Sequence, residues 1–190
     1  MMKRSIALSL MAFAGSVQAS GLDISLSGET ASIVYLTDSS SIGYGGADVG
    51  FGAFFNEDSD VIATAQFNVI GKAATENQPV QFGVGAKAYL GVLDDADVEL
   101  GAIAIGAQAR YVIPSSVAPM AASATVYYAP DVTSFGDTES LLEIVLRYEF
   151  EIVPSTSAYV GYRLLEADFE EVDNVELDDE IHFGIRFSLN

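Results

Sequence analysis

The stretch Val80-Gln-Phe-Gly-Val-Gly-Ala-Lys-Ala-Tyr-Leu-Gly-Val92 alternates without a break. Val80, Phe82, Val84, Ala86, Ala88, Leu90 and Val92 take one parity; Gln81, Gly83, Gly85, Lys87, Tyr89 and Gly91 take the other. A period of two sends successive side chains to opposite faces of a strand, whereas a helix would return its apolar residues every three or four positions. The segment predicts a β-strand with one apolar face.

The same period recurs on both sides of it. Toward the C-terminus come Ile103-Ile105-Ala107-Ala109-Tyr111, Ala122-Ala124-Val126-Tyr128, Leu142-Ile144-Leu146-Tyr148-Phe150-Ile152, Ala158-Val160-Tyr162-Leu164 and Ile181-Phe183-Ile185-Phe187-Leu189. Toward the N-terminus come Val61-Ala63-Ala65-Phe67-Val69 and Val49-Phe51-Ala53-Phe55. In Leu22 to Leu36, Leu22-Ile24-Leu26 gives way to Ala31-Ile33-Tyr35 with the parity flipped. A tight turn at Gly28-Glu29-Thr30 between two short strands produces such a flip.

Alternation has two physical explanations. In a soluble sandwich or small barrel the apolar face points inward. In an outer-membrane barrel the faces are inverted, apolar to lipid and polar to the lumen. Three features favour inversion. The polar faces carry Gly, Gln, Asn, Ser and Tyr with isolated charges. Lys87, Arg110, Arg147, Arg163 and Arg186 all fall on them, leaving Lys72 outside the strands. Aromatics gather near strand ends, as Tyr127-Tyr128 and Tyr148-Phe150, where an interfacial belt would place them.

The connections alternate in charge. Asn56 to Asp60, Asp94 to Asp97, Asp131 to Glu139 and Glu166 to Glu180 are acidic; Thr37 to Ser41, Gly71 to Pro79, Ile113 to Pro119 and Val153 to Ser155 are nearly neutral. An antiparallel barrel puts alternate loops on opposite ends, so the acidic set shares one end. The expected fold is all-β: a closed antiparallel transmembrane β-barrel of about 10 strands, with 8 as the alternative and both termini periplasmic.

Composition agrees. Half of the 190 residues are hydrophobic, which excludes a disordered acidic chain, and 27 acidic against 8 basic residues exclude a nucleic-acid partner. No cysteine is present, so disulfides and thiolate metal sites are out. Lys3-Arg4, the apolar run Ile6 to Ala14 and Val17-Gln18-Ala19 read as a signal peptide over residues 1–19, leaving a barrel domain over 20–190. Losing two basic residues, the mature chain carries 6 basic against 27 acidic groups, a net charge of −21.

Val126-Tyr-Tyr-Ala-Pro130, Leu142 to Phe150, Tyr159-Val-Gly-Tyr-Arg163 and Phe183-Gly-Ile-Arg-Phe187 together resemble the YfaZ family of small outer-membrane proteins. The Tyr-Tyr-x-Pro strand end and the Val-Gly-Tyr-Arg strand are the most specific parts, while the N-terminal half matches in pattern alone. The resemblance implies an outer-membrane barrel, porin-like at most. It also implies an assembly signal at the last strand. Here Ser188-Leu189-Asn190 follow Phe187, so Phe183, Phe187 and Leu189 are the expected elements of that signal.

Chemistry is sparse. The single histidine, His182, lies near the outer start of the last strand, and Ser188 is six residues away, about 20 Å at about 3.3 Å per residue. No catalytic pair is expected; His182 reads as a rim or lumen residue hydrogen-bonded to a neighbour. The interior charges Lys87, Arg110, Glu143, Arg147, Glu149, Glu151, Arg163 and Arg186 read as an ion-pair plug, or as a charge-lined pathway with Arg147 and Arg163 setting a constriction. The acidic run with Glu170, Glu171, Asp173, Asp178 and Asp179 lacks calcium-loop spacing and suggests diffuse divalent-cation attraction at most. No cofactor is expected. Expected partners are outer-membrane lipid and lipopolysaccharide, and the outer-membrane assembly machinery. The expected function is a non-enzymatic outer-membrane barrel, structural or weakly porin-like. A lipid-modifying barrel enzyme and a soluble exported β-sandwich are the alternatives.

Overall fold

A computed structural model describes residues 19–38, 47–71, 79–93, 98–114, 118–170 and 174–189. The strands are β1 (Ala19–Leu26), β2 (Thr30–Asp38), β3 (Ala47–Asn56), β4 (Val61–Ile70), β5 (Val80–Leu93), β6 (Val98–Ile113), β7 (Met120–Ala129), β8 (Ser134–Gly136), β9 (Thr138–Val153), β10 (Thr156–Phe169) and β11 (Val175–Ser188). All pairings are antiparallel and nearly all join chain neighbours; β11 returns to β1, with Leu22 opposite Phe187 and Leu26 opposite Phe183. The sheet is a closed barrel, not a sandwich.

Ten staves make it. The short β8 continues the line of β7 along β6, with Ser134 opposite Ala102 after Tyr128 opposite Ile105. A single 3-10 turn at Asp131–Thr133 interrupts this stave just after Pro130, which has no N–H to give the ladder. The expected acidic connection Asp131 to Glu139 is therefore largely part of a broken stave. At the front, Leu22 to Leu36 is two strands, closed by Ser27, whose N–H donates to the Thr30 carbonyl at 2.9 Å. An even count puts both barrel ends of the chain at one end, and the 27–29 and 57–60 turns at the other.

Over most of its height the barrel is inverted. Phe51, Phe67, Phe82, Val84, Leu90, Ile105, Leu146, Phe183 and Ile185 are exposed outward, while Asp23, Glu143, Glu149, Arg163 and His182 are buried. Tyr148, Phe150 and Tyr128 lie outside as expected. Tyr127 does not: it is buried and donates to Asn68, so only half of that pair can belong to a belt.

Toward the acidic turns the faces exchange roles. In β10, Arg163 inside gives way to Leu165, Ala167 and Phe169, all buried, while outside Leu164 gives way to Glu166 and Asp168. Leu93, Val98, Leu100, Leu141 and Leu177 join that inner cluster. This end is built like a soluble barrel, with apolar side chains within and carboxylates outside. Two expectations are corrected here. The run Glu166 to Glu180 is mostly strand: Glu166 and Asp168 lie in β10, Glu176 to Glu180 in β11, and a bulge inserts Leu177 beside Asp178. The interior is likewise not polar throughout.

Residues 1–18 of the expected signal segment 1–19, the connection Asp94 to Asp97 and most of Gly71 to Pro79, including Lys72, lie outside the described residues. So do residues 39–41, 115–117, Glu171 and Asp173. The first described residue, Ala19, is the last residue of that expected segment and stands at the head of β1.

Candidate functional site

The alternation that turns Phe82 and Val84 outward turns Lys87 and Tyr89 inward, and the same holds for every stave around the lumen. Two ionic clusters result. In the first, Lys87 Nζ donates to both oxygens of Glu143, at 2.9 and 2.7 Å, and Tyr89 donates to Glu143 at 2.7 Å. Arg163 stands 3.9 Å from Glu143 through Nε and pairs with Asp178 through Nη1 at 3.2 Å. Thr30 also donates to Asp178, at 3.3 Å.

The second cluster is centred on Asp23. Arg186 donates to one of its oxygens twice, at 2.9 and 2.7 Å, and Arg147 once, at 3.0 Å; Tyr159 donates to the other. Arg186 then reaches Glu149 at 3.4 Å, and Arg110 reaches the other Glu149 oxygen at 3.0 Å. Arg147 also lies over the Tyr159 ring at 4.5 Å, a cation–π contact.

Of the eight interior charges read from sequence, seven meet in these clusters. Glu151, near the end of β9, takes part in none of these ion pairs. Two carboxylates were missed. Asp23 sits between Leu22 and Ile24 in a visible alternation, so its inward position was readable. Asp178 lies in a run whose composition predicts a loop, and is instead a buried partner of Arg163. Asp179, next to it, faces outward and accepts from Tyr162. The proposed cation ligands Glu170, Asp178 and Asp179 therefore do not converge. Among the described residues no group of three or more His, Asp or Glu side chains could hold a metal ion.

His182 is 1% exposed and lies inside, not at a rim. Neither ring nitrogen has a hydrogen-bond partner, which corrects the expected bonded histidine. Its ring meets Tyr159 edge-on at 5.9 Å. Each aromatic covers a cross-strand glycine: Tyr159 stands opposite Gly184, and His182 opposite Gly161. A Cβ on either glycine would collide with the facing ring. The Val-Gly-Tyr-Arg strand thus has a packing reason for its glycine.

Between the clusters runs a cavity of about 210 Å³. Phe54, Ile62 and Leu165 floor it toward the acidic end; Asp48, Arg110 and Arg186 line it toward the termini. Side-chain exposure rises in that direction, from 7% at Arg163 to 35% at Arg186 and 42% at Arg110. Phe183, Phe187 and Leu189 are exposed on the outside, Phe183 and Phe187 along the β1–β11 seam.

No curated protein matches the chain. Its residues 1–189 match the family described as YfaZ precursor, almost the full length, and the chain belongs to that family.

Proposed function

We propose that the protein is an exported, non-enzymatic outer-membrane β-barrel whose interior is a structural ion-pair core. One observation carries this reading: around the middle of the barrel the large exposed side chains are apolar, while the charged groups gather inside. In water such a surface would expose a continuous apolar band far beyond what a soluble monomer tolerates. In a bilayer it is the favoured arrangement, since a closed barrel leaves no backbone group unpaired. Both termini are then periplasmic, after removal of residues 1–19, and the acidic end faces the outside. Its partners are membrane lipid and lipopolysaccharide, with divalent cations drawn diffusely to the acidic end. Phe183, Phe187 and Leu189 serve as the assembly signal. The burial of His182 without a hydroxyl partner supports a non-catalytic role, and a His182→Ala strain should keep an unchanged lipid profile.

Fractionation tests the reading together with gel mobility. The protein should partition with outer membranes, need detergent for solubility and run faster unheated than boiled. Recovery as a soluble monomer without detergent would overturn it.

Weak passage of small solutes is the second reading, favoured by the cavity and its partly exposed arginines. The apolar cluster over its floor argues for low conductance. Planar-bilayer recordings decide: open-channel steps from well-folded protein would establish a pore, and silence would leave the structural role.

A further inference from the structure

We propose that the interior cavity binds a small oxyanion, a carboxylate or phosphate of a few heavy atoms, admitted from the end where the chain termini lie. The inference stands on the barrel interior and does not depend on membrane residence.

The first ground is the accounting of donors and acceptors. The three buried carboxylates that line the cavity are already shared. Both oxygens of Asp23, of Glu143 and of Glu149 accept hydrogen bonds from protein groups. The arginines are not used up. A guanidinium carries five N–H donors. Arg110 commits one bond, to Glu149, and Arg147 one, to Asp23. The cavity wall therefore has spare guanidinium donors beside buried carboxylates, Asp23, Glu143 and Glu149, whose oxygens are filled. A ligand that brings acceptor oxygens completes it; a cation or a donor-rich ligand would compete with bonds already made. Arginine's planar fork also favours two-oxygen groups of this kind.

The second ground is shape. Five cations line the cavity, Lys87, Arg110, Arg147, Arg163 and Arg186, against Asp23, Asp48, Glu143 and Glu149. Asp178 pairs with Arg163 from just outside this lining, so the formal charges balance five against five, and it is the uncommitted guanidinium donors that select an anion. At about 210 Å³ the space falls below the roughly 300–1,000 Å³ of drug-sized sites. Phe54, Ile62 and Leu165 close the far side. Arg110 and Arg186, the most exposed cations, stand on the open side, where an entering anion meets them first.

Calorimetric titration of the refolded mature chain in zwitterionic micelles tests this. Sodium acetate and sodium phosphate are compared with sodium chloride at equal ionic strength and pH 7. A saturable heat is expected for acetate or phosphate and none for chloride; which oxyanion binds distinguishes carboxylate from phosphate as the ligand. Arg110→Gln should weaken binding tenfold or more, because Glu149 keeps Arg186 and the barrel keeps its heat-modifiable mobility. Thr125→Leu, on the cavity wall and outside every ion pair, should abolish it. Absence of saturable heat from both oxyanions, or wild-type binding by the Thr125→Leu protein, would overturn the proposal. Loss of the membrane reading in fractionation would leave this result untouched.

Discussion

Asp23 is the side chain on which the wider of the two ionic clusters depends. It holds Arg147, Arg186 and Tyr159 together, and all three lie on staves distant from it in sequence. Asp23→Ala leaves two guanidinium groups without their carboxylate in a water-poor interior, where breaking a buried pair costs about 3–5 kcal/mol. Urea unfolding of the refolded barrel should show a loss of that size. Glu151→Gln, outside these pairs, should stay within about 0.5 kcal/mol of wild type by the same assay. At the acidic end the sign of the effect reverses. Glu57, then Glu180, then burial, then Asp58 raise the Glu29 carboxyl above its ordinary value. A carboxyl raised in the folded state binds its proton more readily there than when unfolded. Its ionisation therefore opposes folding, and the penalty disappears as pH falls through the raised value. Melting of Glu29→Gln between about pH 4 and 7 should show higher stability near neutrality and a smaller gain on acidification than wild type. Asp23 was legible in the alternation of β1. The mutual satisfaction of Asp23, Arg147 and Arg186 was not, because sequence gives the face of each side chain and not its height against a distant strand.

Single strands carry two environments in series. β10 runs from a lumen of Tyr159 and Arg163 to a core of Leu165, Ala167 and Phe169, and its outer face turns from Val160 and Leu164 to Glu166 and Asp168. The substitutions that harm each half should differ. Ile105→Lys, on the outer face in the middle of β6, should destabilise the vesicle-embedded barrel by about 2–4 kcal/mol, the cost of a lysine at the lipid midplane. Leu141→Ala, in the inner cluster, should cost about 2–5 kcal/mol in vesicles and in micelles alike, because its burial is against protein. Equilibrium unfolding in the two media separates them. The acidic run predicts a loop because charge density is a loop signal. The same residues also form the solvated parity of a strand, and Leu165-x-Ala167-x-Phe169 carries the buried parity. What extends β10 and β11 there is the ladder each offers the other, a pairing no local composition reports.

At the scale of the molecule, the barrel is a stack: an apolar inner cluster below the acidic turns, a charged chamber beneath it, and an apolar band around the chamber. Purified protein in planar bilayers should give no large steady conductance, since the inner cluster lies across the lumen; a Leu165→Ala and Leu141→Ala double variant should leak more, read as increased bilayer current. The apolar parity of the staves, a turn around Gly28-Glu29, the strand count and the inward turn of five cations were all set by the chain alone. Side-chain direction in a strand follows a strict period of two, so they could be read without a partner strand. Which carboxylate meets which arginine, where the lumen changes from charged to apolar, and that His182 lies buried against Gly161 were decided only on closure. Those depend on the stagger of staves far apart in sequence, and that stagger is fixed by the ladder hydrogen bonds and the packing of the closed barrel.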